Sequence, residues 1–91
     1  MGYVGYIYFV QRLCDSAIKI GHTLDVKYRM YDLRCKFGTI TLMHSMRGGV
    51  QTEKRLHNKF YLDSLGNEWF KTSKSIIDYI NSLRSLKTTN S

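Results

Sequence analysis

The chain has 91 residues, 43% hydrophobic and 13% aromatic, and its fourteen Lys and Arg oppose seven Asp and Glu for a net charge of +7. That length sets one domain with a thin core, and the apolar content excludes a disordered polyelectrolyte. The charge points to a polyanionic partner, nucleic acid before an acidic protein, and no apolar run approaches the roughly 20 residues of a membrane helix.

In chain order, Gly2 to Val10 is rich in Tyr, Ile, Phe and Val and predicts a strand. Gln11 to Ser16 is a polar connection, and Ala17 to Gly21 predicts a second strand returning antiparallel. Asp25 is placed to cap a helix over Val26 to Cys35, where Val26, Met30 and Leu33 recur at helical spacing. Phe37 and Gly38 end it. Thr39 to Arg47 alternates as a third strand, and Gly48-Gly49 marks a turn. Val50 to Phe60 suits a helix with Leu56 and Phe60 inward, Leu62 to Asn67 a loop, and Glu68 to Lys71 a short strand. Thr72 or Ser73 then caps a last helix striped by Ile76, Ile77, Ile80 and Leu83.

The order β-β-α-β-α-β-α, opened by a hairpin, predicts an α+β domain over residues 1–85. Its antiparallel or mixed sheet has three to four strands flanked by helices, and a polar, frayed tail covers 86–91. Cys14 and Cys35 form no C-x-x-C pair and suggest no zinc site; two free thiols are expected ahead of a single disulfide. Met1 to Val10 lacks the basic start and cleavage site of a signal peptide, so an intracellular protein is expected, in cytoplasm or nucleus.

Pairing the first two strands about a centre between Leu13 and Cys14 sets Tyr8 opposite Lys19, Tyr6 opposite Gly21 and Val10 opposite Ala17. Ile7, Phe9, Ile18 and Ile20 then share an apolar face, and Tyr6, Tyr8 and Lys19 gather on the face turned from the core. Taken alone, a tyrosine–lysine pair of this kind is an ordinary feature of a solvated sheet.

Further residues extend the pattern. Tyr6-Ile7-Tyr8 and Lys19-Ile20-Gly21 stand where the two signatures of the GIY-YIG nuclease superfamily would fall, with Tyr6 replacing the Gly and Lys19 the second Tyr. Gly21 to Arg29 is similar to its G-x-T-x-D-x-x-x-R run, Glu53 to His57 to its E-x-x-L-H, and Asn67 to Phe70 to the E-[WF]-F element that follows. Taken together these motifs resemble the K-I-G branch found in phages and large DNA viruses, described as a DNA-binding domain, over about residues 3 to 81. The resemblance implies a small metal-dependent endonuclease acting on DNA, with RNA as a second substrate candidate, and a host-cell location if the origin is viral. A non-catalytic nucleic-acid-binding module of the same fold is the alternative.

Under that resemblance, Glu53 is the metal ligand, for Mg²⁺ or Mn²⁺, because a lone carboxylate suits an ion that keeps much of its water. Arg29 would fork onto the scissile phosphate, although Asp25 stands four residues before it as a simple helix partner. Tyr8 would position or deprotonate water, with Lys19 as the neighbouring cation or as a phosphate contact. His57, one turn after Glu53, could orient it, donate a proton to the leaving oxygen, or serve only as a helix histidine. His22 and Tyr6 are expected to line the cleft. Asn67, Glu68 and Trp69 are expected to close the fold. Lys27, Arg34, Lys36, Arg47 and Lys54, with Arg55 and Lys59, are expected to meet the phosphate backbone. No segment reads as a base-reading helix, so little sequence specificity is expected.

Overall fold

The computed structural model describes residues 4–89. Its elements are β1 (Tyr6–Arg12), β2 (Ile18–Thr23), α1 (Val26–Phe37), β3 (Ile40–Arg47), α2 (Val50–Lys59), a 3₁₀ turn (Tyr61–Asp63), β4 (Ser64–Gly66), β5 (Trp69–Phe70) and α3 (Lys74–Thr89). The expected α+β class holds. The sheet has five strands in the order β3-β1-β2-β5-β4, and every neighbouring pair is antiparallel.

Helix boundaries follow local chemistry. The Asp25 carboxylate accepts the Tyr28 amide at 3.0 Å and opens α1. Gly38 closes it at φ +78°, a left-handed conformation that suits glycine, while its amide returns to Arg34 O. Ser73, one of the two expected caps, accepts the Ile76 amide at 3.2 Å. From there α3 carries the backbone through Thr89, so the expected tail is helical as far as that residue. Residues 90–91, like Gly2 and Tyr3 of the expected first strand, lie outside the described residues.

Two cores sandwich the sheet. On one face Ile7, Phe9, Ile18 and Ile20 pack with Leu56 and Phe60 of α2 and Ile76 and Ile80 of α3. On the other, Tyr8 and Val10 pack against Met30 and Leu33 of α1 and against Ile40. The face expected to turn away from the core is therefore itself a core. Strand β1 lies centrally between β2 and β3, and its unbroken Tyr-Ile-Tyr-Phe-Val run suits burial on both sides.

The hairpin register also departs from expectation. Tyr8 pairs with Gly21, Tyr6 with Thr23 and Val10 with Lys19, a shift of two residues. The centre of the hairpin moves by one residue, to between Cys14 and Asp15. Asp15 accepts the Ala17 amide at 3.0 Å and the Arg12 guanidinium at 2.8 and 3.0 Å, and Ser16 takes φ +65°. An even shift preserves which side chains share a face, so the apolar pattern alone could not reveal it.

The predicted loop over Leu62 to Asn67 takes in the end of the 3₁₀ turn and all of β4. Gly66 pairs with Trp69, which leaves Asn67 and Glu68 as a two-residue hairpin turn, at φ +51° and +72°. Positive φ at both central positions is the primed turn that matches strand twist. Trp69 and Phe70 are buried on opposite faces, Trp69 beneath Arg12 and beside Phe37, and Phe70 in the larger core.

Candidate functional site

Strand β5 is short, and the site forms where it stops. It pairs with β2 only at Ile18 and Lys19, so the next residue of β2 has no strand partner on that side. The Ile20 amide donates instead to Glu68 O at 3.1 Å, and His57 Nε2 donates to Ile20 O at 2.7 Å. One edge residue thus fixes the backbone of the β4–β5 turn and the imidazole of α2. A carbonyl only accepts, so Nε2 is the donor, which leaves Nδ1 as the ring nitrogen able to offer a lone pair to a cation.

These two tethers bring acidic groups together. Potential ligand atoms of Glu53, His57 and Glu68 all lie within 4.8 Å of one another. Glu53 and His57 share a face of α2 one turn apart, and Glu68 arrives from the turn. Burial is the first cause that raises the Glu53 pKa above the ordinary carboxylate value. The charge of Glu68 and hydrogen bonding with it raise it further, against smaller opposing effects of His57 and His22. The donor set of two carboxylates and one imidazole fits a divalent cation, Mn²⁺ tolerating the nitrogen better than Mg²⁺.

Tyr8 enters from the other core. It is 1% exposed and lies opposite Gly21, where a Cβ would overlap the phenol oxygen and ring. Only glycine leaves room for the phenol to cross β2 at this point. Desolvation pushes the Tyr8 pKa up to about 12; Arg29 opposes this by its charge and by hydrogen bonding, while Glu68 and Glu53 add to it. At neutral pH Tyr8 is a neutral phenol, and its cationic neighbour is Arg29 rather than the expected Lys19.

Lys19 is drawn elsewhere by the register. Its ammonium lies 3.2 Å from Glu68 Oε1 and 3.3 Å from Asn67 O, and 5.4 Å from the centre of the Trp69 ring. It therefore neutralises the acidic cluster instead of activating the phenol. His22 donates through Nε2 to Val4 O at 2.6 Å and remains near enough to act on Glu53.

Tyr8, Lys19, Arg29, Glu53 and His57, named from four separate stretches of sequence, thus meet around one edge of the sheet, with His22 beside them. The other named residues lie outside this centre. Tyr6 is partly exposed across the strand pair from Arg47, whose guanidinium is 5.7 Å from its ring. Lys27 and Lys54 are exposed beside Arg29 and Glu53 on their helices. Arg34 and Lys36 occupy the last turn of α1, Lys36 tied to Asp32 at 3.3 Å.

Glu68 is the residue that sequence reasoning missed. It was expected to close the fold, yet its carboxylate faces Glu53 and Lys19. A signal existed: a Gly-Asn-Glu-Trp run is a plausible two-residue hairpin, and Glu is a costly choice at a left-handed position that favours Gly. Such an outlier points to use of the side chain.

Among known protein families, the model described as the T5orf172 domain matches residues 5–84. That domain is phage-associated and of nuclease type. No curated protein and no solved structure matches the chain.

Proposed function

Because this chain belongs to the T5orf172 domain family, we propose that it binds DNA and hydrolyses its phosphodiester bonds with a divalent cation, in the manner of the GIY-YIG nucleases. The observation that carries this reading is the approach of Glu53, His57 and Glu68 to within 4.8 Å beside Arg29 and Tyr8.

Glu53 and Glu68 would hold the cation, with His57 contributing Nδ1 while Nε2 anchors the ring. When bound, the ion would polarise a phosphoryl oxygen and lower the pKa of a coordinated water. Arg29 supplies a permanent positive fork for the non-bridging oxygens, where charge develops. Tyr8, protonated at neutral pH, donates a hydrogen bond that orients the attacking water or a phosphate oxygen; it is not the base. Lys19, released from Glu68 when a cation takes its place, becomes free to meet the DNA backbone.

A second reading has its own support. With Tyr8 held protonated and Lys19 seated on Glu68, the phenol and ammonium expected to activate water are both otherwise engaged, which favours a non-catalytic DNA-binding module. Relaxation of supercoiled plasmid separates the two. We expect nicking with Mn²⁺ or Mg²⁺, abolished by EDTA and by Glu53→Gln while DNA retention persists. Retention with no nicking under either metal would leave only the binding module.

A further inference from the structure

The outer face of α1 carries a feature that the hydrolytic centre does not use. Tyr28 and Tyr31 are each 65% exposed, and among the described residues neither side chain has a hydrogen-bond, ion-pair or ring partner. They stand three residues apart and so are surface neighbours, separated by ~4.5 Å along the helix axis. Lys27 lies four residues before Tyr31 and Arg34 three after it, and both cations are exposed and unpaired among the described residues. The buried stripe of this helix, Met30 and Leu33 with Val26 and Phe37 beside them, lies on the opposite side. The two rings are therefore not spare core residues.

Scattered exposed aromatics are ordinary, but two adjacent free rings bracketed by free cations form a platform of defined chemistry. Each ring offers a flat apolar face at low entropic cost, and the cations suit a chain of phosphates. Every nucleobase has a face to stack, whereas bases inside a duplex already stack on each other at about 3.4 Å. The acidic residues on this helix do not oppose such a ligand strongly. Asp25 is committed to the Tyr28 amide and Asp32 to Lys36.

Resting on the DNA-binding reading above, we infer that Tyr28 and Tyr31 with Lys27 and Arg34 form a stacking site for unpaired bases, which makes DNA with a single-stranded segment the preferred ligand. Lys27 and Arg34 hold the backbone, and the rings take two successive unstacked bases.

Fluorescence anisotropy in EDTA tests this on the intact chain with three probes: a single-stranded 20-mer, its duplex, and a 20-mer with abasic sites through its centre. Tyr28→Ala/Tyr31→Ala should weaken binding of the normal single strand by at least about tenfold and leave duplex binding within about twofold. Tyr28→Phe/Tyr31→Phe should retain the parent's affinity, and the abasic strand should not distinguish parent from the alanine variant. Equal single-strand affinity of parent and alanine variant, both folded by circular dichroism, overturns the stacking site but leaves DNA binding intact. Failure of the parent to bind any probe at low salt overturns DNA binding and the stacking site together.

Discussion

Tyr8 and Gly21 show how a single pairing partner decides the chemistry available to a side chain. The phenol is buried and crosses a strand at the one residue without a Cβ. Gly21→Ala should therefore force buried ring atoms apart and lower stability by roughly 1–3 kcal/mol in denaturant melts. Tyr8→Phe removes only the oxygen. It should keep the fold and reduce plasmid nicking by roughly 100- to 1000-fold, the range set by loss of one oriented donor. Glu53 offers a test that needs no turnover. Its pKa is raised in the folded chain, first by burial and then by Glu68. A raised carboxyl binds more protons folded than unfolded, so its contribution to stability falls as pH rises through the carboxylate range. Glu53→Gln should thus melt higher than the parent at neutral pH, the gap closing below about pH 4. Mn²⁺ should raise the melting temperature of the parent and leave that of Glu53→Gln unchanged.

At the scale of elements, the β4–β5 turn sets stability against function. Glu68 sits at φ +72°, where glycine would be at ease. Glu68→Gly should stabilise the chain by about 0.5–1 kcal/mol in urea unfolding while abolishing nicking. A loss of both would show that the carboxylate serves only to hold the hairpin. The elements themselves were legible in the sequence because each carries its own pattern: Met30 and Leu33 at helical spacing, an unbroken β-branched and aromatic run from Tyr6 to Val10, and alternation from Ile18 to Ile20. The register was not. A two-residue shift keeps every side chain on its face, and the decision rests with Asp15 and Ser16 in the connecting loop. Nor could periodicity show that α1 folds back over Tyr8, because its apolar stripe suits any sheet face. The consequences ran into the site: Arg29 rather than Lys19 attends the phenol, and Lys19 crosses to Glu68. The convergence of Tyr8, Arg29 and Glu53 was legible only through motif resemblance. Glu68 joins them through a two-residue hairpin whose trace in the sequence is the Gly-Asn-Glu-Trp run alone.

For the whole molecule, a charge of +7 on 91 residues makes phosphate contacts the main source of affinity. DNA retention should weaken steeply with salt, with a log–log slope of about −4 if Lys27, Arg34, Arg47 and Lys54 each neutralise one phosphate. A slope near zero in a salt series would contradict a phosphate-led interface. Among the described residues no helix is long and apolar enough to cross a membrane. The two cores divide the labour of the domain, since one holds α2 and α3 and the other seats α1 with its arginine. Only the short β5 strand leaves the gap at Ile20 where their side chains meet. Paramagnetic broadening of amide resonances by substoichiometric Mn²⁺ tests most directly whether that gap is a metal centre. Broadening should begin at Ile20, Glu53, His57 and Glu68 and disappear in Glu53→Gln. Broadening spread over the surface, or unchanged in the variant, would contradict a metal centre there.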